Sequence, residues 1–436
     1  MSATATGRAI DAVWRIESPR LIAGLTRLTR DVGVAEDLAQ DALVAALEQW
    51  PASGVPVNPG AWLMAIAKRR AIDRFRREEL GERKRDEFGR VELARREAAP
   101  GFDASLDDDI GDDLLRLVFI ACHPVLSRQA RVALTLRLIG GLTTAEIARA
   151  YLASEATIAQ RIVRAKRTLT EARVPFEMPQ GADRAGRLAS VLEVLYLIFN
   201  EGYCATAGDD WLRPSLCEDA LRMGRIVAQL MPREAEVHGL VALLEIQASR
   251  TAARVRPNGE PVLLLDQDRS RWNHLLIRRG FAALDRSERL GGTLGPYALQ
   301  AAIAACHARA RIAEETDWVR IAALYDALLE VMPSPIVALN RAVAVGFGYG
   351  PAAGLEAVEE LRFEKSLEGY YLLASVRGDL LARLGRGAEA AFEFRRAAAA
   401  TANARERALL LDRAKAAGDV DSALAVRRGR TRRHQA

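Results

Sequence analysis

The chain has 436 residues, of which 50% are hydrophobic, 6% aromatic and 27% charged, and it carries a formal net charge of +5. Its length exceeds that of one ordinary core, so we expect about two to four domains. The net charge is small for this length and identifies no partner by itself. Alanine, leucine and arginine are abundant and long alternating β-branched runs are absent, which excludes a large sheet and predicts an all-α fold.

The cysteines and histidines indicate neither a disulfide framework nor a metal site. Cys122, Cys204, Cys217 and Cys306 form no CxxC pair, and the histidines do not cluster. We therefore expect buried reduced thiols, no metal ion and no cofactor. Charged residues near the N-terminus argue against a signal peptide, and no apolar stretch is long enough to span a bilayer. A cytoplasmic protein without a membrane partner is expected.

The first block, residues 9–79, has the pattern of three helices. Apolar residues recur at helical spacing in the first two helices, at Leu21, Leu25 and Leu28 and at Leu38, Ala42, Ala45 and Ala46. The second stripe ends at Trp50-Pro51, and a loop from Pro51 to Asn58 follows. Asn58 as N-cap, with Pro59 at the first helical position, predicts a third helix that runs to Arg77.

This third helix is strongly basic. From Lys68 to Arg77 it carries six basic residues and a single acidic one, Asp73. The apolar side chains among them, including Trp62, either anchor the helix to its neighbours or stack on unpaired bases while arginines hold phosphates. Spacing alone favours core anchoring for Trp62, whereas three successive basic residues at 68–70 seldom serve packing.

The second block, residues 80–111, is polar, highly charged and poor in apolar anchors, which predicts a linker. Its first residues are equally compatible with a continuation of the preceding helix. An acidic run begins at Asp103 and separates the basic helix from a second basic stretch, Arg161 to Arg173. Two basic helices on either side of an acidic linker suit a protein that holds a polyanion at two places.

The third block, residues 112–175, has the pattern of a helix-turn-helix preceded by helices over Leu114–Cys122 and Arg128–Leu138. Thr143 and Glu146 have the spacing of a capping box, and Ser154 is a good N-cap for the second helix of the motif. One face of that second helix is apolar, with Ile158, Ile162, Ala165 and Leu169.

The rest of the second helix carries side chains that can bond base edges or phosphates in a major groove. These residues are Glu155, Thr157, Gln160, Arg161, Arg164 and Arg167. The alternative is a surface helix whose arginines are only solvated. The motif predicts a duplex-DNA reader.

The fourth block, residues 179–427, is helical again and contains marks of tetratricopeptide repeats near its end. Small and aromatic residues stand at the repeat positions Gly378, Gly385, Ala390, Phe394 and Ala397. Upstream, residues 318–325 fit the first helix of a degenerate unit, whose second helix at 334–345 is out of the ideal register. Nothing between 188 and 250 fixes a repeat period.

Two segments of the chain, in order, resemble the extracytoplasmic-function (ECF) sigma factors of the sigma-70 family. VAEDLAQDAL at 34–43 and PGAWLMAIAKRRAIDRFRR at 59–77 are similar to region 2 of that family. GLTTAEIA at 141–148 and SEATIAQRIVRAKRTL at 154–169 are similar to region 4. The long tail, with YLIFNEGY at 196–203, resembles the subgroup that has a C-terminal tetratricopeptide-like extension.

The resemblance implies an all-α protein with two small DNA- and polymerase-binding domains followed by a helical-repeat domain. It implies docking on the clamp helices of the β′ subunit of core RNA polymerase through Glu36, Asp37, Gln40 and Asp41, and it adds the β flap as a second partner surface. It implies recognition of the promoter −10 element by Asn58, Trp62, Lys68, Arg69, Arg70, Asp73, Arg74 and Arg77. It assigns the −35 element to the major-groove residues of the 155–167 helix named above, and it threads the acidic linker toward the RNA path.

Two other function classes are alternatives to a non-enzymatic sigma factor. A stand-alone helix-turn-helix regulator with a helical-repeat sensor would bind DNA without polymerase, but it has no use for the docking helix or the loop at 51–58. An enzyme is disfavoured because the sequence has no phosphate-cradling glycine loop, no HExxH and no GxSxG. The tail is expected to bind a protein partner or to fold back on the sigma domains.

Overall fold

The computed structural model describes residues 3–83, 110–151, 153–204, 212–256, 259–291 and 294–433. These ranges contain helices and no strand, apart from a single bridge between Val255 and Pro261. The all-α prediction is confirmed. Most of the predicted acidic linker, residues 84–109, lies outside the described residues. No helix within the described part of the chain is long and apolar enough to cross a membrane.

The chain divides into two compact units, residues 1–197 and 198–436. The first contains an N-terminal three-helix domain with α1 (Ala3–Thr29), α2 (Val32–Ser53) and α3 (Pro59–Arg83). A helix-turn-helix domain follows with α4 (Ile110–Ala121), α5 (Arg128–Leu138), α6 (Thr144–Ala150) and α7 (Glu155–Glu171). Helix α8 (Gly181–Tyr203) begins in the first unit and ends in the second.

The three-helix domain forms as its apolar stripes predict. Leu21, Leu25 and Ala42 are at most 3% exposed, and Trp50 closes the core at 1%. Asn58 caps α3, because its side chain accepts a hydrogen bond from the backbone N–H of residue 61 at 3.1 Å. Helix α3 continues past Arg77 into the segment predicted as linker, which agrees with the second of the two alternatives for that segment.

The end of α2 differs from the prediction. The helix continues through Pro51 to Ser53, so the predicted loop is shortened to residues 54–58. A proline in the last turn removes one helical hydrogen bond without preventing the helical dihedrals. Gly54 then ends the helix with φ of 83°, a conformation that glycine adopts without steric cost, and its N–H donates to Trp50 O at 2.9 Å.

The helix-turn-helix forms as predicted. Both halves of the capping box are present, with Thr143 and Glu146 bonding reciprocally, and Ser154 caps α7. The predicted apolar face of α7 is buried, with exposures of 0% for Ile158 and 6% for Ile162. Helix α5 has the predicted bounds, because its cap Ser127 and its apolar core positions are all local signals.

The described part of the second unit consists of successive helices. They are α9 (Pro214–Leu230), α10 (Ala235–Ala248), α11 (His274–Leu290), α12 (Pro296–Arg309), α13 (Trp318–Val331), α14 (Pro335–Gly348), α15 (Pro351–Glu360), α16 (Tyr371–Arg383), α17 (Gly387–Ala400) and α18 (Ala404–Arg433). Between α10 and α11 lie three short 3-10 turns at 251–253, 264–266 and 269–271.

The segment with repeat marks folds as the helix pair α16–α17. Gly378 lies against the ring of Phe394, since a Cβ placed on Gly378 would come within 2.9 Å of it. Ala390, Phe394 and Ala397 are at most 1% exposed, and the turn at Gly385 has φ of 74°. These contacts are those of any closely packed helical hairpin, so the assignment to the tetratricopeptide repeats stays a prediction.

Three of the four cysteines are buried and all four are reduced, while Cys204 is half-buried. Burial raises the pKa of Cys122 and of Cys217 to about 12, so both are neutral thiols rather than reactive thiolates. Among the described residues no group of histidine, cysteine and carboxylate side chains could hold a metal ion.

Close helix packing in the second unit is most demanding at Gly354. A Cβ on this glycine would lie 2.5 Å from Gly346 Cα and 3.0 Å from Ala342 O, which are backbone atoms that cannot yield without moving α14. We expect Gly354→Ala to reduce the hydrogen-exchange protection of α14 and α15 by about 1–3 kcal/mol. Gly418→Ala, where a Cβ meets nothing within 4 Å, is the control; equal losses in both variants would contradict this packing argument.

Candidate nucleic-acid interface

Helix α7 presents the predicted DNA-reading side chains at the surface. Its buried face is anchored by the apolar stripe, which leaves the polar residues on the outer faces. Arg161 is half-buried, and the exposed members are Glu155, Thr157, Gln160, Arg164 and Arg167. A helix with amide and guanidinium groups on its exposed side has the chemistry that base edges and phosphates require.

Two of these side chains are engaged within the helix itself. The hydroxyl of Thr157 lies 2.8 Å from Ser154 Oγ, beside the N-cap. Arg167 Nε donates to Glu171 Oε1 at 2.6 Å. That pair is exposed, and such pairs contribute little to stability. Neither contact prevents the side chain from turning to a phosphate.

A cleft of about 870 Å³ runs along α3 and faces α1. It is lined by four of the residues predicted to contact the −10 element, Asn58, Lys68, Arg69 and Asp73. The walls also carry charged residues that sequence reasoning did not select, namely Glu17, Arg20, Arg76 and Asp113. Glu17 and Arg20 lie on α1, so only the fold brings them to this cleft.

The other residues predicted for the −10 element lie away from this cleft or are not described. The ring of Trp62 packs edge-on against Trp50, with ring centroids 5.3 Å apart, which is the core-anchoring interpretation of its spacing. Arg70 is ion-paired with Asp41 of α2 at 3.3 Å. Arg74 is half-buried, and the side chain of Arg77 lies outside the described residues.

The predicted docking residues occupy α2 but do not share one environment. Asp37 and Asp41 are exposed, Gln40 is half-buried and Glu36 is only 2% exposed. The exposed face also carries two apolar residues that sequence reasoning missed, Val44 and Leu47, at 48% and 49% exposure. Helical spacing from Asp37 and Asp41 could have found Val44, since a surface with acidic and apolar residues side by side is typical of an interface.

Glu36 is buried because the helix-turn-helix domain covers it. Its Oε1 accepts hydrogen bonds from Arg137 Nε of α5 at 2.5 Å and from Gln40 Nε2 at 2.7 Å. Lys166 of α7 forms an ion pair with its other oxygen. Burial alone would raise the pKa of Glu36, but the charges and hydrogen bonds of Lys166 and Arg137 outweigh burial and hold that pKa below its ordinary value.

Further polar contacts join the same two domains. Arg15 pairs with the capping-box residue Glu146 at 2.8 Å, and the Thr170 hydroxyl donates to Asp31 at 3.0 Å. Arg27 pairs with Asp113 at 3.2 Å, where the carboxylate side chain is 3% exposed. In this structure the three-helix domain and the helix-turn-helix domain are therefore held together in a closed arrangement, with part of the predicted docking face inside it.

Comparison with protein families assigns both domains. Residues 14–80 match the family described as Sigma-70 region 2, and residues 116–169 match Sigma-70, region 4. Residues 187–288 match a family of unknown function (DUF6596). No solved structure matches the chain.

Comparison with curated proteins agrees with these families. An uncharacterized protein of Rhizobium meliloti (strain 1021) is 43% identical over 394 residues, which is 90% of this chain and 92% of that protein. The ECF RNA polymerase sigma factor SigK of Mycobacterium ulcerans (strain Agy99) is 32% identical over 151 residues, or 33% of this chain and 75% of that protein. SigK of Mycobacterium tuberculosis (strain ATCC 25177 / H37Ra) is 33% identical over 33% of this chain and 74% of its own length. With both sigma-70 regions in order and three quarters of these relatives covered, the chain belongs to the ECF RNA polymerase sigma factors.

Proposed function

We propose that this sigma factor uses three surfaces of its first unit to direct core RNA polymerase to its promoters. The exposed residues of α7 read the −35 element, the cleft along α3 holds the −10 element, and the outer face of α2 docks on the β′ clamp helices. The β flap is the second docking point. The observation that carries the proposal is the presence, in one chain, of a helix-turn-helix with exposed amide and guanidinium groups, a separate cleft lined by Lys68 and Arg69, and an acidic and apolar helix face.

The chemistry of α2 supports a protein partner rather than DNA. Asp37 and Asp41 are exposed carboxylates, which a phosphate backbone repels and a basic helix attracts. Val44 and Leu47 add apolar area of the kind that protein interfaces bury. A stand-alone DNA-binding regulator would gain nothing from this face, and the match to region 2 argues against that alternative.

Neither DNA-binding surface is large enough to bind tightly by itself. Several weak contacts on one scaffold add their effects, because the second contact is made at a high effective concentration after the first. Opening promoter DNA requires about a few kcal/mol for each base step that is unstacked. Trapping unpaired bases in the cleft along α3 supplies that energy without hydrolysis of a nucleotide. The proposed role therefore needs no catalytic residue.

We propose that the helical second unit regulates the sigma domains or docks a partner protein. Stacked helix pairs such as α16–α17, with small residues at their contacts, form the extended surfaces on which repeat proteins bind other chains. A tetratricopeptide-like unit at α16–α17 and a degenerate one at α13–α14 are part of this proposal.

The direct test is reconstituted transcription. Purified full-length chain and core polymerase are incubated with a pool of genomic templates, and the transcripts and permanganate-reactive thymines are mapped. We expect new starts that share upstream elements, with melting only when both proteins are present. Starts that are no more frequent than with core polymerase alone would contradict the proposed function.

Docking is tested by charge reversal on α2. Asp37→Arg places a positive charge where we propose that a basic partner helix binds, so co-purification with core polymerase should fall at least about tenfold. Asp11→Arg, an exposed aspartate on α1, is the matched control and should bind normally. Equal binding of core polymerase by both variants would contradict the proposal that α2 forms part of the interface.

Base reading by α7 is tested by replacing one glutamine on α7 and, as a control, one on α5. Gln160→Ala removes an exposed amide from the proposed reading face, and it should relax preference at one base pair of the −35 element by about 1–3 kcal/mol in competition with altered promoters. Gln129→Ala, an exposed glutamine on α5, should leave every preference unchanged. Uniform weakening across all sequences would assign Gln160 to phosphate binding and contradict base reading.

The closed arrangement depends on the charge of Glu36. Because its pKa is lowered in the folded chain, this carboxylate stabilises the arrangement above the ordinary glutamate pKa, and the contribution is lost as the pH falls through the lowered value. Glu36→Gln should reduce hydrogen-exchange protection of α2 and α7 by up to about 3 kcal/mol at neutral pH and abolish that pH dependence. Glu48→Gln, exposed on the same helix, is the control; unchanged protection in Glu36→Gln would refute the role of the buried pair.

A further inference from the structure

A group of buried nitrogen atoms lies in the second unit, outside both sigma domains. It gathers around Trp272, which is 3% exposed. The guanidinium carbon of Arg250 lies 5.7 Å from the Trp272 ring centroid, and that of Arg269 lies 5.1 Å from it. His307 belongs to the same group, because Arg269 Nη1 donates to its backbone oxygen at 2.6 Å.

Four nitrogen atoms in this group are buried and have no hydrogen-bond partner in the part of the chain that the structure describes. They are Arg250 Nε, Arg269 Nε, Trp272 Nε1 and His307 Nδ1. The arginine and tryptophan atoms carry N–H groups that can only donate, and the histidine atom can do so in one tautomer. Buried donors are destabilising when they are left unpaired, so each of these atoms calls for an acceptor.

The other bonds of these arginines go to neutral acceptors. Arg250 donates to Tyr203 Oη and to Gln247 Oε1. Arg269 donates to two backbone oxygens and to the Thr316 hydroxyl. Within the described residues neither arginine forms an ion pair. Glu315 is bonded to Arg311 at 3.3 Å, and Glu314 and Glu315 act on Arg269 only through their charges.

The charge of the group is therefore positive and only partly compensated, since Glu314 and Glu315 oppose the lowering of the Arg269 pKa by burial and by Arg250. Burial lowers the pKa of Arg250, and the charge of Arg254 lowers it further, although Tyr203 opposes this effect. Burial, then Arg250 and Arg269, lower the pKa of His307 to about 3, so the imidazole is neutral. Two guanidinium groups beside one aromatic ring repel each other, and an anion bonded to both would reduce that repulsion.

We propose that Arg250, Arg269, Trp272 and His307 form a binding site for the oxyanion group, phosphate or carboxylate, of a small molecule. Oxygen atoms of such a group accept several hydrogen bonds at once, and guanidinium forks match their geometry. Arg269 is only half-buried, so its side of the group is the route by which the ligand reaches the buried donors. The site lies largely in the segment that matches the family of unknown function, and it gives the second unit a ligand to which it responds.

The test is calorimetric titration of the full chain with inorganic phosphate and, separately, with citrate, in a buffer without oxyanions and at ionic strength held constant with sodium chloride. We expect saturable binding of at least one of the two, and the preferred probe distinguishes a phosphate from a carboxylate ligand. Arg269→Gln should weaken that binding at least about tenfold, equivalent to about 1.4 kcal/mol. Trp272→Phe, which removes the indole N–H and keeps an aromatic ring, should weaken it severalfold.

Arg271→Gln is the matched control, because it makes the same charge change at an exposed residue of the same 3-10 turn, and it should bind like the original chain. Circular dichroism checks that each variant is folded; if Arg269→Gln is not, Trp272→Phe alone decides. No binding of either probe at millimolar concentration, or equal losses in Arg269→Gln and Arg271→Gln, would overturn the proposal. The measurement contains no polymerase, so its failure would leave the promoter-directing function untouched.

Discussion

A carboxylate that is 2% exposed must be neutralised by its surroundings, and Glu36 is neutralised by two cations from a different domain. Removing one member of a buried ion pair typically costs about 3–5 kcal/mol, whereas an exposed pair such as Arg15–Glu146 contributes about 1 kcal/mol or less. The position of the helix-turn-helix domain on the three-helix domain therefore depends more on Glu36 and on the equally buried Asp113, which pairs with Arg27 of α1, than on exposed pairs. Because α2 is also the proposed docking helix, polymerase can reach Glu36 only after α5 and α7 have left it.

The helices were predictable where their signals are local. The capping box at Thr143 and Glu146, the N-cap Asn58 and the apolar stripe of α7 each depend on residues within a few turns of one helix, and each is confirmed. The end of α2 was wrong by about a turn, since a proline in a last turn costs less than one in a helix interior. The burial of Glu36 could not be predicted, because Arg137 and Lys166 lie about a hundred residues further along the chain.

The same distinction applies to the two clusters of charge that the fold assembles. The basic character of α3 is visible in a run of successive residues, but Glu17 and Arg20, which complete its cleft, lie on α1. In the second unit, the sequence predicts helices and a repeat, yet Arg250, Arg269 and His307 occur in three separate segments without a motif. Only the packing of the helices brings these three residues to Trp272, and the pattern of a single sequence does not predict that packing.

The arginines of the two units differ in what surrounds them, and this difference separates their proposed roles. On α7 the guanidinium groups are mostly exposed and well hydrated, so they do not destabilise the chain in the absence of DNA. The free energy of DNA binding then comes mainly from the release of counterions. Around Trp272 the protein donors are already desolvated, so their hydration is not lost again when an oxyanion binds, and their bonds to the anion offset the loss of the anion's own hydration. An exposed basic surface suits binding that salt and polymerase can modulate, whereas a buried one suits occupation by a specific small molecule. One chain thus combines a unit with both sigma-70 regions and a second unit for which we propose a small-molecule site.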